Sequence, residues 1–390
     1  MNTKLLASKL LQEYVLCDWC LGRQFPFWMN NLSSKERGKR LRKGIDTKQA
    51  MNSNCYICQG IMPSIEEFAQ KVLEAIKSYE FETFLVGASV PSSIVEREDQ
   101  LRSNFKLKGG ESIKGDITRT IGTLISDRTG KRVSYRKPDL TILVKPAEGS
   151  LRISTKPVYL FGRYVKKRRG IPQKKRICKL CGGLGYKECE GTGLSPTLSV
   201  EKLLADKLMA SFKARDVRFT WIGGEDTNSL VLGKGRPFFA ELVDPMIRSL
   251  SDFKPLYRSE AGVRLKELRV VNKPTERPEF TVTVLARVRF SKKVDEQVLK
   301  SLEEEFTDKT VTSFSSRKRR LVEKKVHRLS VKRVRGRAVE LEVVCDGGLS
   351  IRKLILGEVS PSLADVLGFP IMLDEKRPFD VLDIDIHNIN

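Results

Sequence analysis

An acidic pair on a loop flanked by glycines is the part of this sequence best suited to chemistry. The stretch FTWIGGEDTNSLVLGKGRPFFAELVDP passes from a short apolar run through Gly223 and Gly224 to Glu225 and Asp226, and then enters a second apolar run. Glycines on both sides let the backbone turn tightly and expose an acid. Asp226 can therefore act as a nucleophile or an electrostatic stabiliser. The structural alternative is an Asx turn that Asp226 caps.

A second candidate for chemistry is the glycine-rich piece GKGRPF, which occupies residues 233–238. A lysine between glycines can belong to a loop that binds phosphates, but the full Walker pattern is absent from the sequence. Nucleotide hydrolysis is therefore disfavoured, and the piece stays a weak candidate for a phosphate loop.

Two CxxC pairs, Cys17/Cys20 and Cys55/Cys58, account for four of the eight cysteines. A reduced cytosolic chain rarely uses such pairs for disulfides. Two knuckles of this kind can give four thiolates to one tetrahedral ion, so the spacing predicts a structural zinc site. Four thiolates leave no open position on the ion, which argues against a catalytic role. The alternative is that the thiols are unrelated.

A second group of cysteines, Cys178, Cys181 and Cys189, lies in the segment CKLCGGLGYKECEGTG. A fourth thiol would fit at position 186, but that residue is Tyr186. We favour a glycine-rich turn with leftover cysteines, and the alternative is a metal held by three thiolates and a distant ligand. Cys345 lies in an apolar strand pattern and is expected in the core.

The charge of the chain indicates its class of partner. Its 390 residues include 72 Lys and Arg against 48 Asp and Glu, a formal net charge of +24. Such an excess favours a polyanionic partner, with an acidic protein or an anionic membrane surface as alternatives. No apolar stretch is long enough to span a bilayer, and the N-terminal MNTKLLASKLLQEYVL is typical of an amphipathic helix rather than a secretory signal. We expect a cytoplasmic protein that binds nucleic acid.

Two basic segments concentrate this charge. Residues 163–176 hold eight Lys and Arg and no acid, and residues 317–337 hold eleven with a single acid, Glu323. Either segment can contact an RNA backbone or form a solvated face. Interspersed valines and leucines in the second segment predict strands that display the charge on one face. The first segment, with the glycines up to Gly193, also marks a domain boundary.

Hydrophobic periodicity places these features on an α+β framework. Capping boxes at Ser33/Glu36 and Ser64/Glu67 predict helix starts, and the second of these helices continues with apolar residues to Tyr79. Further helices are predicted over Ile113–Leu124 and from about Ser199, and extended runs are predicted at Phe84–Ala88, Asp139–Val144 and Pro157–Phe161.

The motif GGEDTNSLVLGKGRPF resembles the catalytic motif of the archaeal-type tRNA pseudouridine 54/55 synthases, the divergent THUMP-containing family of pseudouridine synthases. CDWCLGRQF with SSKERGKRLR is similar to the N-terminal zinc module of that family. SIKGDITRTIG, KPDLTILV and FGRYVKKRRGIPQ are similar to its THUMP-containing domain. The resemblance covers most of the chain. It implies a zinc module over residues 1–63, a THUMP-containing RNA-binding domain over 64–170, a linker over 171–195 and a mixed-sheet catalytic domain over 196–390.

By this resemblance the chain is expected to be a tRNA pseudouridine synthase, an isomerase that acts on the T-arm of tRNA. The family isomerises uridines 54 and 55 without a redox cofactor or ATP, and its invariant aspartate falls on Asp226. The resemblance implies that this carboxylate attacks the ribose–base system after the stacked uridine has been extruded. Arg352 matches a basic residue that lies near the aspartate in the family, where a cation would keep Asp226 ionised. A monomer is the family expectation.

The residues that would contact the base and the RNA depart in part from the family pattern. Two tyrosine positions of the family correspond to Val284 and Ser350. Either Phe280 or Phe290 supplies the ring instead, or the base stacks more weakly, which would slow catalysis or change which uridine is modified. The other candidate substrate-binding residues are Arg163, Lys166, Lys167, Arg236 and Phe238.

A tRNA-binding or tRNA-folding protein with little catalysis, built on the same scaffold, is the second hypothesis, because other residues occupy both tyrosine positions. It predicts RNA binding without formation of pseudouridine. A different THUMP-type enzyme, a thiolase or a methyltransferase, would need a PP-loop or a glycine-rich loop for S-adenosylmethionine. The sequence contains neither.

Overall fold

The computed structural model describes residues 3–45, 55–189, 191–195, 198–254, 262–315 and 320–387. The chain divides into two compact units, Met1–Lys156 and Pro157–Asn390. Both units combine helices with β-strands, which confirms the α+β class. Within the described ranges no helix is long and apolar enough to cross a membrane.

The first unit packs helices against a small mixed sheet. Its elements are α1 (Thr3–Glu13), α2 (Asp18–Gly22), α3 (Ser34–Arg42), α4 (Ile65–Ile76), β1 (Thr83–Ala88), α5 (Ser92–Asn104), α6 (Ile113–Thr129), β2 (Arg132–Val133), β3 (Leu140–Lys145) and β4 (Ser150–Thr155). Among the described residues the strand order is β2-β1-β3-β4. Strand β1 is parallel to β2 and β3, whereas β4 is antiparallel to β3.

Helix α6 illustrates how the sequence builds the core of this unit. Ile113, Ile117, Ile121 and Ile125 recur at four-residue spacing along one helix face, and all of them are fully buried. Ser112 caps the first turn with its side chain. Burial of each isoleucine contributes about 1.5–3 kcal/mol, so packing rather than helix propensity holds this element in place. The predicted helix is confirmed.

The two predicted capping boxes have different outcomes. At the start of α3, the Ser33 side chain accepts a hydrogen bond from the Glu36 N–H, and the Glu36 carboxylate accepts one from the Ser33 N–H. At the start of α4 the prediction is wrong, because Ser64 donates instead to the carbonyl oxygens of Gly60 and Ile61. The backbone of Ser64 has φ −93° and ψ 2°, which is not the extended conformation that an N-cap requires.

The second unit is built on a larger mixed sheet. Its strands are β5 (Val158–Lys166), β6 (Asp216–Trp221), β7 (Leu230–Val243), β8 (Val263–Val271), β9 (Glu279–Phe290), β10 (Lys309–Ser315), β11 (Arg320–Arg335), β12 (Ala338–Asp346), β13 (Ile371–Leu373) and β14 (Phe379–His387). Its helices are α7 (Val200–Phe212), α8 (Glu296–Phe306), α9 (Ile351–Leu356) and α10 (Leu363–Leu367). In the described part of the chain the sheet runs β10-β11-β12-β9-β14-β7-β5-β8, with β13 paired to β9 and β6 to β7.

The division into units differs from the predicted domain boundaries. Strand β5 pairs with β7 and β8 in the larger sheet, although the sequence analysis assigned residues 157–170 to the THUMP-containing domain. Nearly every residue of β5 is buried, so this basic stretch occupies core positions. In the first unit, the N-terminal cysteines and the small sheet contribute to one hydrophobic core. The predicted boundary at residue 63, between the zinc module and the THUMP-containing domain, therefore does not divide two cores.

The GKG piece forms an irregularity inside β7. Gly233 and Gly235 have φ values of 53° and 86°, which favour glycine. A Cβ at Gly233 would lie 2.2 Å from the carbonyl oxygen of Leu382, and one at Gly235 would lie 2.6 Å from that of Tyr164. The pairing of β5 with β7 shifts register at this point. The glycines therefore allow strands to approach closely, which accounts for the motif without a phosphate loop.

The second basic segment forms strand β11, as its apolar pattern predicts. Val326 and Leu329 are buried, whereas Arg328, Arg333 and Arg335 are exposed. The strand pairs with β10 on one side and β12 on the other. Residues 317–319 of the predicted basic segment lie outside the described residues.

Candidate active site

Residues 222–229, here called the acidic loop, connect β6 to β7 and carry Asp226. Strand β6 pairs with the second half of β7, and the first residues of β7 pair with β14, so the sheet anchors both ends of the loop. One carboxylate oxygen of Asp226 accepts a hydrogen bond from the Asn228 N–H at 2.9 Å, which is an Asx turn. The other accepts one from Arg352 Nη2 at 3.2 Å. The turn thus fixes one oxygen and leaves the second facing a cation.

A cavity of about 470 Å³ opens beside Asp226. Its wall is formed by the acidic loop, β9, the segment that enters α9, and the start of β14. The lining residues are Gly223, Gly224, Glu225, Asp226, Ser229, Arg236, Phe280, Val282, Val284, Gly348, Leu349, Ser350, Ile351, Arg352, Phe379 and Val381. Volumes of about 300–1,000 Å³ and walls that combine apolar surface with a few polar groups are typical of sites for small ligands.

Arg352 reaches the cavity from the first turn of α9. The Ser350 side chain caps this helix by accepting a hydrogen bond from the Lys353 N–H, which fixes the turn that carries Arg352. The guanidinium lies 5.7 Å from the ring centroid of Phe379, a cation–π arrangement. The side chains of Arg352 and Asp226 retain 47% and 32% exposure, so an incoming ligand can reach the pair.

Glu225 precedes Asp226 but its side chain is fully buried. Its carboxylate lies 2.8 Å from Lys166 Nζ and 3.1 Å from Arg236 Nε, and both of these side chains are also buried. The Tyr164 hydroxyl donates to the same carboxylate at 2.9 Å. Burial, together with the charge of Glu225, raises the pKa of Tyr164 well above its ordinary value. Because each charge compensates another, removal of one would leave its partners unpaired in the interior.

The first basic segment holds the backbone of the acidic loop. Lys166 Nζ donates to the carbonyl oxygen of Ile171 at 2.9 Å and approaches those of Asp226 and Thr227 at 3.5 and 3.4 Å. Arg176 Nη2 donates to the Thr227 hydroxyl at 2.5 Å. Lys166 therefore holds the loop from within the fold, whereas the exposed Arg176 holds it from the surface.

Asp380, which sequence reasoning missed, anchors the end of the acidic loop. It is buried and pairs with Arg169 and Arg287, each at 2.7 Å, and it accepts a hydrogen bond from the Leu230 N–H at 3.1 Å. Arg169 also donates to the carbonyl oxygen of Asn228 at 2.6 Å. The signal in the sequence was weak, because Asp380 lies in an ordinary alternating strand pattern far from the residues it contacts.

Most of the predicted substrate-binding residues lie inside the fold. Lys166 and Phe238 are fully buried, and Arg163 is buried while donating to backbone oxygens of β7 and β14. Direct contact of these three with RNA is a prediction that the structure corrects, because side chains closed off from solvent cannot reach a phosphate. Arg236 is buried as well, although its side chain borders the cavity. Lys167 is exposed.

The two family tyrosine positions both fall on the cavity wall, at Val284 and Ser350. Phe280 also lines the cavity. Phe290, the other predicted ring, is 1% exposed and packs against Phe369 with ring centroids 5.8 Å apart, away from the cavity. Of the two predicted phenylalanines, Phe280 is therefore the one that borders the site.

The four N-terminal cysteines form a buried cluster in the first unit. The sulfur atoms of Cys17, Cys20, Cys55 and Cys58 lie within 4.8 Å of one another, and those of Cys17 and Cys58 are 3.7 Å apart. Thiolates at about 2.3 Å from a tetrahedral ion are separated by about 3.8 Å, so the cluster fits a metal. Arg23 donates to Cys20 Sγ at 3.0 Å, orienting this sulfur from outside the cluster.

Six arginines surround a further cavity of about 620 Å³ in the second unit. We call this cavity the arginine groove. Its arginines are Arg287, Arg289, Arg333, Arg335, Arg337 and Arg377. Arg333, Arg335 and Arg337 are exposed. Several guanidinium groups around one cavity favour an anionic ligand with several oxygen atoms, such as a phosphate chain.

Two family models match this chain, one within each of its two units. The family model described as "Pus10 THUMP domain, archaeal" matches residues 68–145, and the model described as "Pus10, C-terminal" matches residues 159–390. The second match includes the acidic loop, Arg352 and the arginine groove.

Two curated relatives align along most of the chain. A protein of Nitrosopumilus maritimus named tRNA pseudouridine synthase Pus10 is 31% identical, over 98% of this chain and 97% of the relative. A protein of the same name from Cenarchaeum symbiosum is 36% identical, over 91% of this chain and 87% of the relative. A solved structure titled "Crystal Structure of a Cbf5-Nop10-Gar1 Complex" is 15% identical with a TM-score of 0.31, over 57% of this chain and 48% of that chain.

Proposed function

The chain belongs to the Pus10 family of tRNA pseudouridine synthases, and we propose that it isomerises uridines 54 and 55 in the T-arm of tRNA through attack by Asp226. In this isomerisation the Asp226 carboxylate displaces uracil N1 from ribose C1′ and forms a C1′–O bond. The detached base rotates, and its C5 then displaces the carboxylate, so that the C1′–O bond breaks as the bond from C1′ to C5 forms. The proton on C5 leaves and N1 gains one, so atoms and electrons balance. The reaction requires no redox cofactor and no ATP.

The contact between Asp226 and Arg352 is the observation that carries the proposal. The Asx turn to Asn228 holds one carboxylate oxygen, and the other oxygen faces the cavity and lies 3.2 Å from the guanidinium. The guanidinium thus lies beside the carboxylate that is proposed to attack the sugar carbon. The cation also offers hydrogen-bond donors to charge that develops on the substrate.

Phe280 is the residue we propose to contact the extruded uracil. The ring lies on the cavity wall near Gly223 and Gly347, where a Cβ would approach it to 3.0 and 2.4 Å. These two glycines therefore leave space for the ring. A flat apolar ring on the wall of the cavity that Asp226 also lines offers a stacking surface that a uracil can use whatever its orientation during rotation.

The arginine groove, together with exposed Lys167, is proposed to hold the tRNA backbone. A folded RNA is recognised largely through its phosphates and 2′-hydroxyl groups, and guanidinium groups bind phosphate oxygens through paired hydrogen bonds. Exposed arginines of β11 are available for this purpose, whereas Arg163 and Lys166 are not. Within the first basic segment, this assignment removes the buried Arg163 and Lys166 from the phosphate contacts and keeps the exposed Lys167.

The N-terminal cysteine cluster is proposed to hold one zinc ion with a structural role. Four thiolates would complete a tetrahedral coordination shell and leave no position for substrate. The buried Arg23 donates to Cys20 Sγ at 3.0 Å and is held by Glu98 at 2.6 Å, so its guanidinium would lie against one of these thiolates. Bound zinc would tie the segment around Cys17 to the segment around Cys55 within the first unit.

The test uses purified protein and an unmodified tRNA transcript, with carbodiimide-based mapping of pseudouridine. We expect product at positions 54 and 55, no detectable product with Asp226→Asn, and full activity with Asp216→Asn. Asp216 is the matched control because it lies at the start of the strand that leads to the acidic loop, away from the cavity. Product formation by Asp226→Asn at the normal rate would contradict the assignment.

A tRNA-binding protein with little catalysis is the second candidate, and the residues at Val284 and Ser350 favour it. Both positions border the cavity without offering the ring that the family places there. This candidate predicts that the protein shifts tRNA in a binding assay while the transcript gains no pseudouridine. Binding and modification measured on the same sample distinguish the two functions.

A further inference from the structure

The second cysteine cluster, formed by Cys178, Cys181 and Cys189, has no part in the function proposed above. Its three sulfur atoms lie within 4.8 Å of one another, and those of Cys181 and Cys189 are 3.6 Å apart. All three side chains are buried, and among the described residues they form a cluster of their own, separate from the hydrophobic core of the second unit. Three thiols gathered on a glycine-rich turn contribute little apolar packing, so their arrangement calls for another explanation.

The turns of this cluster repeat those of the N-terminal cluster. In both CxxC pairs the carbonyl oxygen of the first cysteine accepts a hydrogen bond from the N–H four residues later, at 2.9 Å. The carbonyl oxygen of the second cysteine accepts one from the N–H three residues later, at 3.0 and 2.9 Å. The pairs compared are Cys55/Cys58 and Cys178/Cys181. The same local geometry therefore turns two sulfur atoms toward a common point in each place.

We infer that Cys178, Cys181 and Cys189 bind one thiophilic divalent cation of the zinc class as three thiolates, with the fourth coordination position open to water. The 3.6 Å separation is close to the edge of about 3.8 Å between thiolates around zinc, and far from the disulfide length of about 2.05 Å. Thiolates select such ions over magnesium or calcium. The sequence spacing would place a fourth thiol at position 186, which is Tyr186 here, and in the described part of the chain no His, Cys, Asp or Glu completes the set.

The cluster belongs to a loop whose base adjoins the acidic loop. Ile177 and Leu194 form an antiparallel bridge, and the Ser195 N–H donates to the carbonyl oxygen of Arg176 at 2.8 Å. The Arg176 side chain in turn donates to Thr227, next to the proposed nucleophile. An ion held at the cluster fixes the turn between these bridge residues, and so helps to hold Arg176 against the acidic loop. Its role is to position the loop, without contact to substrate.

Metal analysis of the full-length protein, purified under reducing conditions, is the first test. We expect about two zinc ions per chain, one for each cluster. Replacement of Cys178, Cys181 and Cys189 by serine should remove one ion, and Cys55→Ser with Cys58→Ser, the matched control, should remove the other. A wild-type protein that carries a single ion, retained in full by the triple variant, would overturn the second site. These counts do not depend on isomerase activity, so a failure here leaves the proposed function untouched.

Amide hydrogen exchange tests the positioning role in the same triple variant. We expect exchange in residues 222–229 to become severalfold faster, while helix α6 of the first unit exchanges as in the wild type. Unchanged exchange in the acidic loop would overturn the positioning role even if an ion is lost.

Cobalt substitution distinguishes three thiolates from four. Tyr186→Cys should strengthen the sulfur-to-cobalt charge-transfer absorption while the number of ions per chain stays the same. If Tyr186→Cys instead raises that number by one, the native chain lacks the site and the proposal fails.

Discussion

The two faces of the acidic loop hold the same kinds of charged group in opposite surroundings. On the cavity face, Asp226 and Arg352 meet at 3.2 Å with much of their surface exposed. On the inner face, Glu225 meets Lys166 and Arg236 at 2.8 and 3.1 Å with almost no exposure. Adjacent carboxylates thus belong to two different environments, and a single peptide bond separates them.

The two environments separate the charges that maintain the loop from those that are available for chemistry. An exposed pair is screened by water and contributes little to stability, so its charges remain free to respond to a substrate. A buried cluster is fixed by the cost of leaving any member unpaired. A rigid inner face therefore allows the outer carboxylate to keep its orientation without being enclosed itself.

The largest expected effect comes from the inner face, through Glu225→Gln. The substitution leaves Lys166 and Arg236 buried beside a neutral amide. We expect the free energy of unfolding to fall by about 3–5 kcal/mol, as when one partner of a buried ion pair is removed. Denaturant unfolding followed by circular dichroism measures this loss.

Glu267→Gln is the control for that substitution. Glu267 lies on β8 and pairs with Arg163 at 3.2 Å, but its side chain is 57% exposed. A loss below about 1 kcal/mol is expected for it. If the two variants lost the same stability, the contrast between the faces of the loop would not hold.

On the cavity face, Arg352→Met should affect rate instead of stability. Loss of the cation beside Asp226 is expected to lower kcat by about 100–1,000-fold, the effect of removing a positioned electrostatic group from a site. Stability should change by less than about 0.5 kcal/mol, because the pair is exposed. Single-turnover assays on a tRNA transcript and denaturant unfolding give the two numbers.

The control for Arg352→Met is Lys353→Met on the next residue of α9. Lys353 pairs with Glu358 at 3.2 Å and does not line the cavity. Arg352→Lys, which retains the charge, should recover part of the rate. A variant Arg352→Met as active as the Lys353 control would remove Arg352 from the site.

The contrast between the two faces of the acidic loop also separates the roles that the sequence could predict from those that it could not. Asp226 carries a local signal, because glycines and turn-forming residues surround it. Glu225 has the same sequence surroundings, and it differs in role only because its partners, Lys166 and Arg236, are buried. Lys166 belongs to a basic run whose sequence pattern does not distinguish exposed positions from buried ones. Its burial depends on the pairing of β5 with β7 and β8, which residues far along the chain determine.

The first unit shows the same limit. The α6 helix was predictable, because four isoleucines repeat at helical spacing. Helix α5, Ser92–Asn104, was not predicted, because charged residues occupy much of its surface and only Ile94 and Leu101 supply a buried apolar face. Its Glu98 is buried against Arg23 beside the cysteines, a contact across 75 residues that no local pattern indicates.

Two phenylalanines on β9, one on the cavity wall and one in the core, should also differ in their effects on rate and stability. Phe280→Leu should lower kcat/KM by about tenfold, because a stacked base gains about 1–3 kcal/mol from an aromatic ring and leucine supplies only part of that. Phe290→Leu should instead lower the free energy of unfolding by about 1–2 kcal/mol with little change in kcat/KM, because Phe290 lies in the core. Steady-state kinetics and unfolding of both variants test this. A rate loss confined to Phe290→Leu would point to another ring for the base.

The smallest effect is expected from exposed charges on the surface, at Arg333 and Arg335 in the arginine groove. Their replacement by glutamine should weaken tRNA binding by roughly fivefold at physiological salt and reduce the slope of log affinity against log salt by about one unit per residue. Lys202→Gln with Lys300→Gln removes the same charge from helices α7 and α8 and should leave the slope nearly unchanged. If both pairs of substitutions reduced the slope equally, net charge alone would attract the RNA, and the groove would have no special part in holding it.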